Sequence, residues 1–114
     1  MAGTSTVTSE CLRRLVLDCL GDMKAHDVAD LDVRGKTTIT DRFIIATGTS
    51  NRHAQAVSDR IIETARENGV RALGVEGRDT ADWILIDLGD VVVHVMQAAA
   101  RRFYDLEELW QTAI

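Results

Sequence analysis

The stretch TDRFIIATGTSNR, residues 40–52, decides the fold. Its middle, residues 43–47, is continuously apolar and β-branched, with Asp41 before it and Gly48 after it. A run of that length between turn residues reads as a strand buried on both faces, which places it in the interior of a sheet. Ser50 or Asn51 then offers a helix cap, and Ala54, Val57, Ser58, Ile61, Ile62 and Ala65 recur at the spacing of a single apolar helix face. Asn68-Gly69 closes that helix. Residues 70–76 read as the next strand, so strand, helix and strand form a βαβ-like unit whose two strands are expected to pair in parallel.

Working outward, Leu12, Leu15, Val16, Cys19, Leu20 and Met23 form one stripe and predict a helix over residues 8–24, with Thr8 as its cap and Glu10 in its first turn. Residues 29–34 alternate, Leu31 and Val33 against Asp30 and Asp32, before Gly35 breaks the pattern, and read as an edge strand. Residues 83–87 and 91–96 are two further strands joined by Leu88-Gly89-Asp90, short enough for an antiparallel hairpin. At the end, Phe103, Leu106, Leu109 and Trp110 keep helical spacing, and Asp105 with Glu108 form a variant capping box. The chain holds no proline and no composition break, so residues 1–114 are expected to be a single α/β domain without linker or repeat.

Composition excludes several functions. With 46% hydrophobic and 27% charged residues the chain is ordinary globular material. The net charge of -5 argues against free nucleic acid as the main partner, because phosphate binding draws on Lys and Arg, and it suits a basic protein surface better. No apolar run spans a membrane and the first residues lack an export signal, so the expected location is cytoplasmic. Cys11 and Cys19 lie about 12 Å apart along one helix, too far to bridge, and are read as reduced thiols facing the core.

The sharpest candidate for catalysis is Asp30-Leu31-Asp32, since carboxylates two apart on a strand share a face and could hold a divalent metal for nucleotidyl transfer. That chemistry needs a phosphate-binding glycine motif upstream, and Gly21-Asp22 places an acid where phosphate should sit. Gly48-Thr49-Ser50-Asn51-Arg52 could cradle an anion or simply cap the helix, and it lacks the spacing of a P-loop. His26, His53 and His94 show no metal-binding spacing, and no serine or cysteine sits on a nucleophile elbow. The hairpin carries more. Alternation puts Trp83, Leu85 and Asp87 on one face of its first strand and Asp90, Val92, His94 and Met96 on one face of its second. If these coincide, an aromatic anchor lies beside two acids, as in an interface hot spot; Trp83 as plain core is the competing reading.

Four strings in order, TDRFIIATGTSNR (40–52), EGR (76–78), DWILIDLGDVVVHV (82–95) and RRFYDLEELW (101–110), resemble the ribosomal silencing factor or Iojap-like family across residues 8–111. The resemblance implies a five-stranded mixed sheet flanked by helices, nucleotidyltransferase-like in fold but without catalytic residues, metal or cofactor. It implies a partner too, the large ribosomal subunit through its ribosomal protein fourteen. Occupying that face would block subunit joining and repress translation when nutrients are short, with a further link to large-subunit assembly. Carried onto this chain, the partner-binding residues are Trp83, Asp87 and Asp90, then Glu76, His94 and Tyr104. One departure is Gln97-Ala98-Ala99-Ala100, where members often have a His-Pro-like turn, leaving the start of the last helix open. A metal-dependent nucleotidyltransferase and a plain homodimer stand as the alternatives.

Overall fold

Thr8 opens the first helix as the capping pattern predicts, its hydroxyl accepting from the Cys11 N–H at 3.1 Å. The computed structural model of the chain describes residues 8–106. Its elements are α1 (Ser9–Asp22), β1 (His26–Asp32), β2 (Arg42–Gly48), α2 (Asn51–Glu67), β3 (Gly74–Glu76), β4 (Trp83–Asp87), β5 (Val91–Gln97) and α3 (Ala98–Tyr104). The strands form one mixed sheet in the order β1-β2-β5-β4-β3. Only β2 and β5 run parallel; the other three pairings are antiparallel.

The parallel pair is therefore not the one expected from the sequence. Residues 70–76 shorten to the three of β3, which pair antiparallel with β4 at the edge farthest from β1. Val70 is instead tied back to the end of α2 by its N–H to Ala65 O. The interior strand between β2 and β4 must tolerate burial on both faces, and β5 does, with Val91 to Met96 all buried. Gly74-Val75-Glu76, ending on an exposed acid, does not.

One face of the sheet is covered by α1 and α2. Leu12, Val16, Cys19 and Leu20 of α1 and Ala54, Val57, Ile61 and Ala65 of α2 pack with Ile44, Ala46, Ile84, Ile86, Val91, Val93 and Val95. Each of the valines, leucines and isoleucines removed from water contributes about 1.5–3 kcal/mol. Cys11, expected in this core, is exposed. Eight residues at 3.6 per turn leave it about 80° around the helix from Cys19, outside the stripe.

The second face buries Val33, Phe43, Ile45, Val92 and Met96, with Leu31, Trp83, Leu85, Ala100 and Leu106 packed around them. Among the described residues the helix packed on it is α3, which starts directly after β5 rather than at Phe103. Asp105 ends α3 in the left-handed region, φ 48°, and the capping box expected of it with Glu108 falls outside the described residues. Glu108, Leu109 and Trp110 lie outside the described residues.

Between β4 and β5, Leu88 N–H donates to Val91 O at 2.9 Å, leaving Gly89-Asp90 as a two-residue turn. Positive φ falls on Gly89 alone, at 90°, the pattern of a type II′ hairpin. Ahead of β4, Gly77 has φ 83° and passes so close to Trp83 that an added Cβ would lie 2.1 Å from its carbonyl oxygen. Gly77→Ala is expected to cost more than about 1 kcal/mol, read as a melting temperature several degrees lower. An unchanged melting curve would refute that account of the turn.

Candidate docking face

The residues singled out by sequence divide between the two faces. Asp30 and Asp32 point toward the helices, where register sets them opposite Ile44 and Arg42. There Arg13 of α1 hydrogen bonds Asp30, and Arg34 grips Asp32 at 2.7 Å. Arg42 adds its guanidinium at 3.6 Å from Asp30 and 3.9 Å from Asp32. Side-chain and backbone hydrogen bonds from Arg34 hold the Asp32 carboxyl well below the usual carboxylate range. The pair is thus embedded among three arginines, an arrangement that places cations where a metal would have to compete.

Residues 48–52 act as a helix cap. Ser50 Oγ accepts from the His53 N–H at 3.0 Å, and the Thr49 N–H donates to His53 Nδ1 at 3.0 Å. Because Nδ1 accepts, Nε2 carries the proton and donates to Met23 O at 2.8 Å, tying the β2-α2 turn to the end of α1. Gly48 is needed for close approach, since a Cβ there would sit 3.0 Å from Ala54 Cα. The Thr49 amide is thus consumed inside the fold.

The hairpin does present one face. Register pairs Trp83 with Met96, Leu85 with His94 and Asp87 with Val92, so both predicted rows lie on the second side of the sheet. Glu76 joins them opposite Leu85. Trp83, however, does not stand beside the acids. Four residues of strand separate it from Asp87, about 13 Å, so the face has two poles.

At the first pole the half-buried Trp83 donates Nε1–H to His94 Nδ1 at 2.8 Å. Its ring meets that of Tyr104, with centroids 4.6 Å apart, and Phe103 stands edge-on to Tyr104 at 5.0 Å. Phe103 is 79% exposed and Tyr104 51%. At the second pole Asp87 accepts from Gly89 N–H at 2.9 Å, and Asp90 projects from the turn. The Asp90 carbonyl accepts from Asp41 N–H and Arg42 N–H, both 3.0 Å, which fixes the turn to the start of β2. Among the described residues no ion pair reaches Glu76, Asp87 or Asp90, whereas Asp22, Asp30, Asp32, Asp59, Glu10 and Glu63 all meet arginines.

Between the poles a pocket of about 220 Å³ is lined by Thr37, Ile39, Thr40, Phe43, Leu85, Asp87, Val92 and His94. Burial pushes the His94 imidazole down to about 4. Sequence reading missed Ile39, 78% exposed, and Phe103. Ile39 is a lone apolar residue in a polar loop and Phe103 was assigned to a helix beginning later, so neither stood out.

The model of a family described as "Ribosomal silencing factor during starvation" matches residues 6–114. The chain belongs to the ribosomal silencing factor family. It is 46% identical over 99 residues to the ribosomal silencing factor of Haemophilus influenzae, covering 87% of this chain and 97% of that one. A crystal structure of a protein from Chromobacterium violaceum superposes with a TM-score of 0.89 at 39% identity, covering 91% of this chain and 87% of that one. A more distant relative, at 31% identity over 99 residues, is the mouse protein named "Mitochondrial assembly of ribosomal large subunit protein 1". That match covers 84% of this chain and 43% of the mouse protein. Membership makes the chain a regulatory protein of the ribosome, and the face built on Trp83, Asp87 and Asp90 is its candidate contact.

Proposed function

We propose that this ribosomal silencing factor docks its second sheet face onto the large ribosomal subunit, through ribosomal protein fourteen, and blocks subunit joining by occupying space. The observation that carries this reading is the placement of acids without an ion pair on the same sheet face as the half-buried Trp83 and its exposed aromatic neighbours. Glu10, Asp22, Asp30, Asp32, Asp59 and Glu63 elsewhere on the molecule are matched by arginines, while Glu76, Asp87 and Asp90 stand around an apolar face and form no ion pair among the described residues. Such a rim favours a basic partner and steers its approach, and the aromatic pole supplies the area that is buried on contact.

Blocking then needs no chemistry. The thinnest dimension of the described chain is 21 Å, many times hydrogen-bond reach, so any bridge between subunits beneath it cannot close. The protein acts in the cytoplasm, where the two subunits meet, and makes or breaks no covalent bond. A contribution to large-subunit assembly fits the same docking. The metal-dependent nucleotidyltransferase is disfavoured because Arg13, Arg34 and Arg42 already neutralise Asp30 and Asp32. No helix among the described residues is long and apolar enough to cross a membrane.

The test mixes purified large and small subunits with and without the protein and resolves them on a sucrose gradient. The expected result is retention of the protein on large subunits together with loss of the joined peak. Joining that continues on large subunits saturated with the protein would overturn the steric reading. Saturable heat from magnesium with a nucleotide, abolished by Asp30→Asn, would restore the enzyme.

A further inference from the structure

His94 is 3% exposed, yet only one of its ring nitrogens has a partner. The indole N–H of Trp83 can only donate, so the Nδ1 it meets at 2.8 Å must be an acceptor. The neutral ring therefore carries its proton on Nε2. That N–H is buried and without a hydrogen-bond acceptor, an arrangement that costs roughly as much as a lost hydrogen bond. The two ring nitrogens point widely apart. Nδ1 is directed at Trp83, which is no part of the pocket wall, while His94 is among the residues that line the pocket, with the Phe43 ring 4.2 Å away and tilted 48° to it.

The remaining walls define what the pocket takes. Ile39, Phe43, Leu85 and Val92 are apolar, and at about 220 Å³ the space is below the roughly 300 Å³ at which small-molecule sites begin. It suits one residue of a protein. The single donor calls for a neutral acceptor oxygen, and Asp87, half-buried in the same wall, calls for a cation close by. Ile39 is a solvent-facing side chain that can swing aside as a residue enters.

We propose that His94 is the specificity-determining hydrogen-bond donor of the docking face, its Nε2–H received by an uncharged acceptor oxygen on a loop of a basic protein that seats in this pocket with a Lys or Arg over Asp87. This rests on the docking face assigned above and adds to it a requirement. A partner with the right charge but no acceptor at that point leaves the donor buried and unpaired, and is rejected.

Two amide variants separate the ring nitrogens. His94→Asn places its amide near Nδ1 and can keep the bond to Trp83, but leaves nothing at Nε2. His94→Gln places an N–H near Nε2. Co-sedimentation with purified large subunits is expected to weaken about tenfold to a hundredfold for His94→Asn and to recover to within a few-fold of the parent for His94→Gln. Wild-type binding by His94→Asn, or equal loss in both variants when both melt like the parent, overturns the donor role. The wild-type chain gives a reading that needs no variant: a long-range proton-nitrogen NMR spectrum at neutral pH should show the His94 proton on Nε2, and a proton on Nδ1 refutes the proposal. Asp90→Lys keeps the two ideas apart. If it binds like the parent, the face is wrong; if it loses binding while His94→Asn does not, only the donor falls.

Discussion

Replacing Trp83 with alanine is expected to weaken retention on large ribosomal subunits by about thirtyfold or more. A central, half-desolvated tryptophan of an interface is worth roughly 2 kcal/mol or more, and 1.4 kcal/mol is a factor of ten. Here the loss has three parts. The variant removes the ring that a partner would cover, it withdraws the stacking surface that holds Tyr104 at 4.6 Å, and it takes the donor from His94 Nδ1. Part of the cost could fall on folding, so the companion variant is Asp90→Lys. The Asp90 side chain projects from the turn, its backbone φ is negative, and its structural hydrogen bonds use only the carbonyl. Charge reversal there should leave the melting curve in place, reduce binding, and slow association most at low salt. Co-sedimentation and kinetic measurements on both variants check this, and parent-like binding by both would remove the assigned surface.

Local rules explain why much of this face was legible in the sequence. The period-two alternation of Trp83-Ile-Leu-Ile-Asp87 and the Gly at the turn fix which side chains share a side, and register confirms the shared side. The caps at Thr8 and Ser50 follow from single hydroxyls three residues ahead of the amide they accept from. Separation was harder to see. Alternation says that Trp83 and Asp87 face the same way but not that they stand at opposite ends of the pocket, nor that α3 would begin at Ala98 and bring Tyr104 onto the tryptophan. Strand order was also beyond local reading. The three strands after α2 could each have paired with β2, and the choice of β5 depends on comparing their burial against one another. The arginines that neutralise Asp30 and Asp32 come from α1, β2 and the β1-β2 connection, so no window of sequence contains them together.

Acid should destabilise this protein in a window set by His94. Its folded value is lowered from 6.5 to about 4 by burial, with Asp87 the other ionisable group among the described residues that line its pocket. In the native state the ring stays neutral, because a charge there would be buried against Phe43 and would have to displace the Trp83 N–H from Nδ1. The unfolded chain takes up the proton below 6.5 and the native chain refuses it until about 4, so the unfolded state binds more protons throughout that interval. Stability is therefore full above 6.5, falls as the pH drops, and levels off below 4, for a loss of about 3 kcal/mol in all. Asp32 and Asp59, whose arginine partners lower them from 3.8, begin to contribute only once the pH reaches that value, so the two effects separate on the pH axis. Urea midpoints measured at neutral pH, at about pH 5.5 and at about pH 4.5 should decline in step, by about 1 kcal/mol at the middle point. His94→Asn has no group to titrate there and should flatten the profile. A parent protein equally stable at all three would mean that the native ring takes up its proton as readily as the unfolded one, so that at about pH 5.5 the pocket would present a cation to its partner rather than a neutral donor.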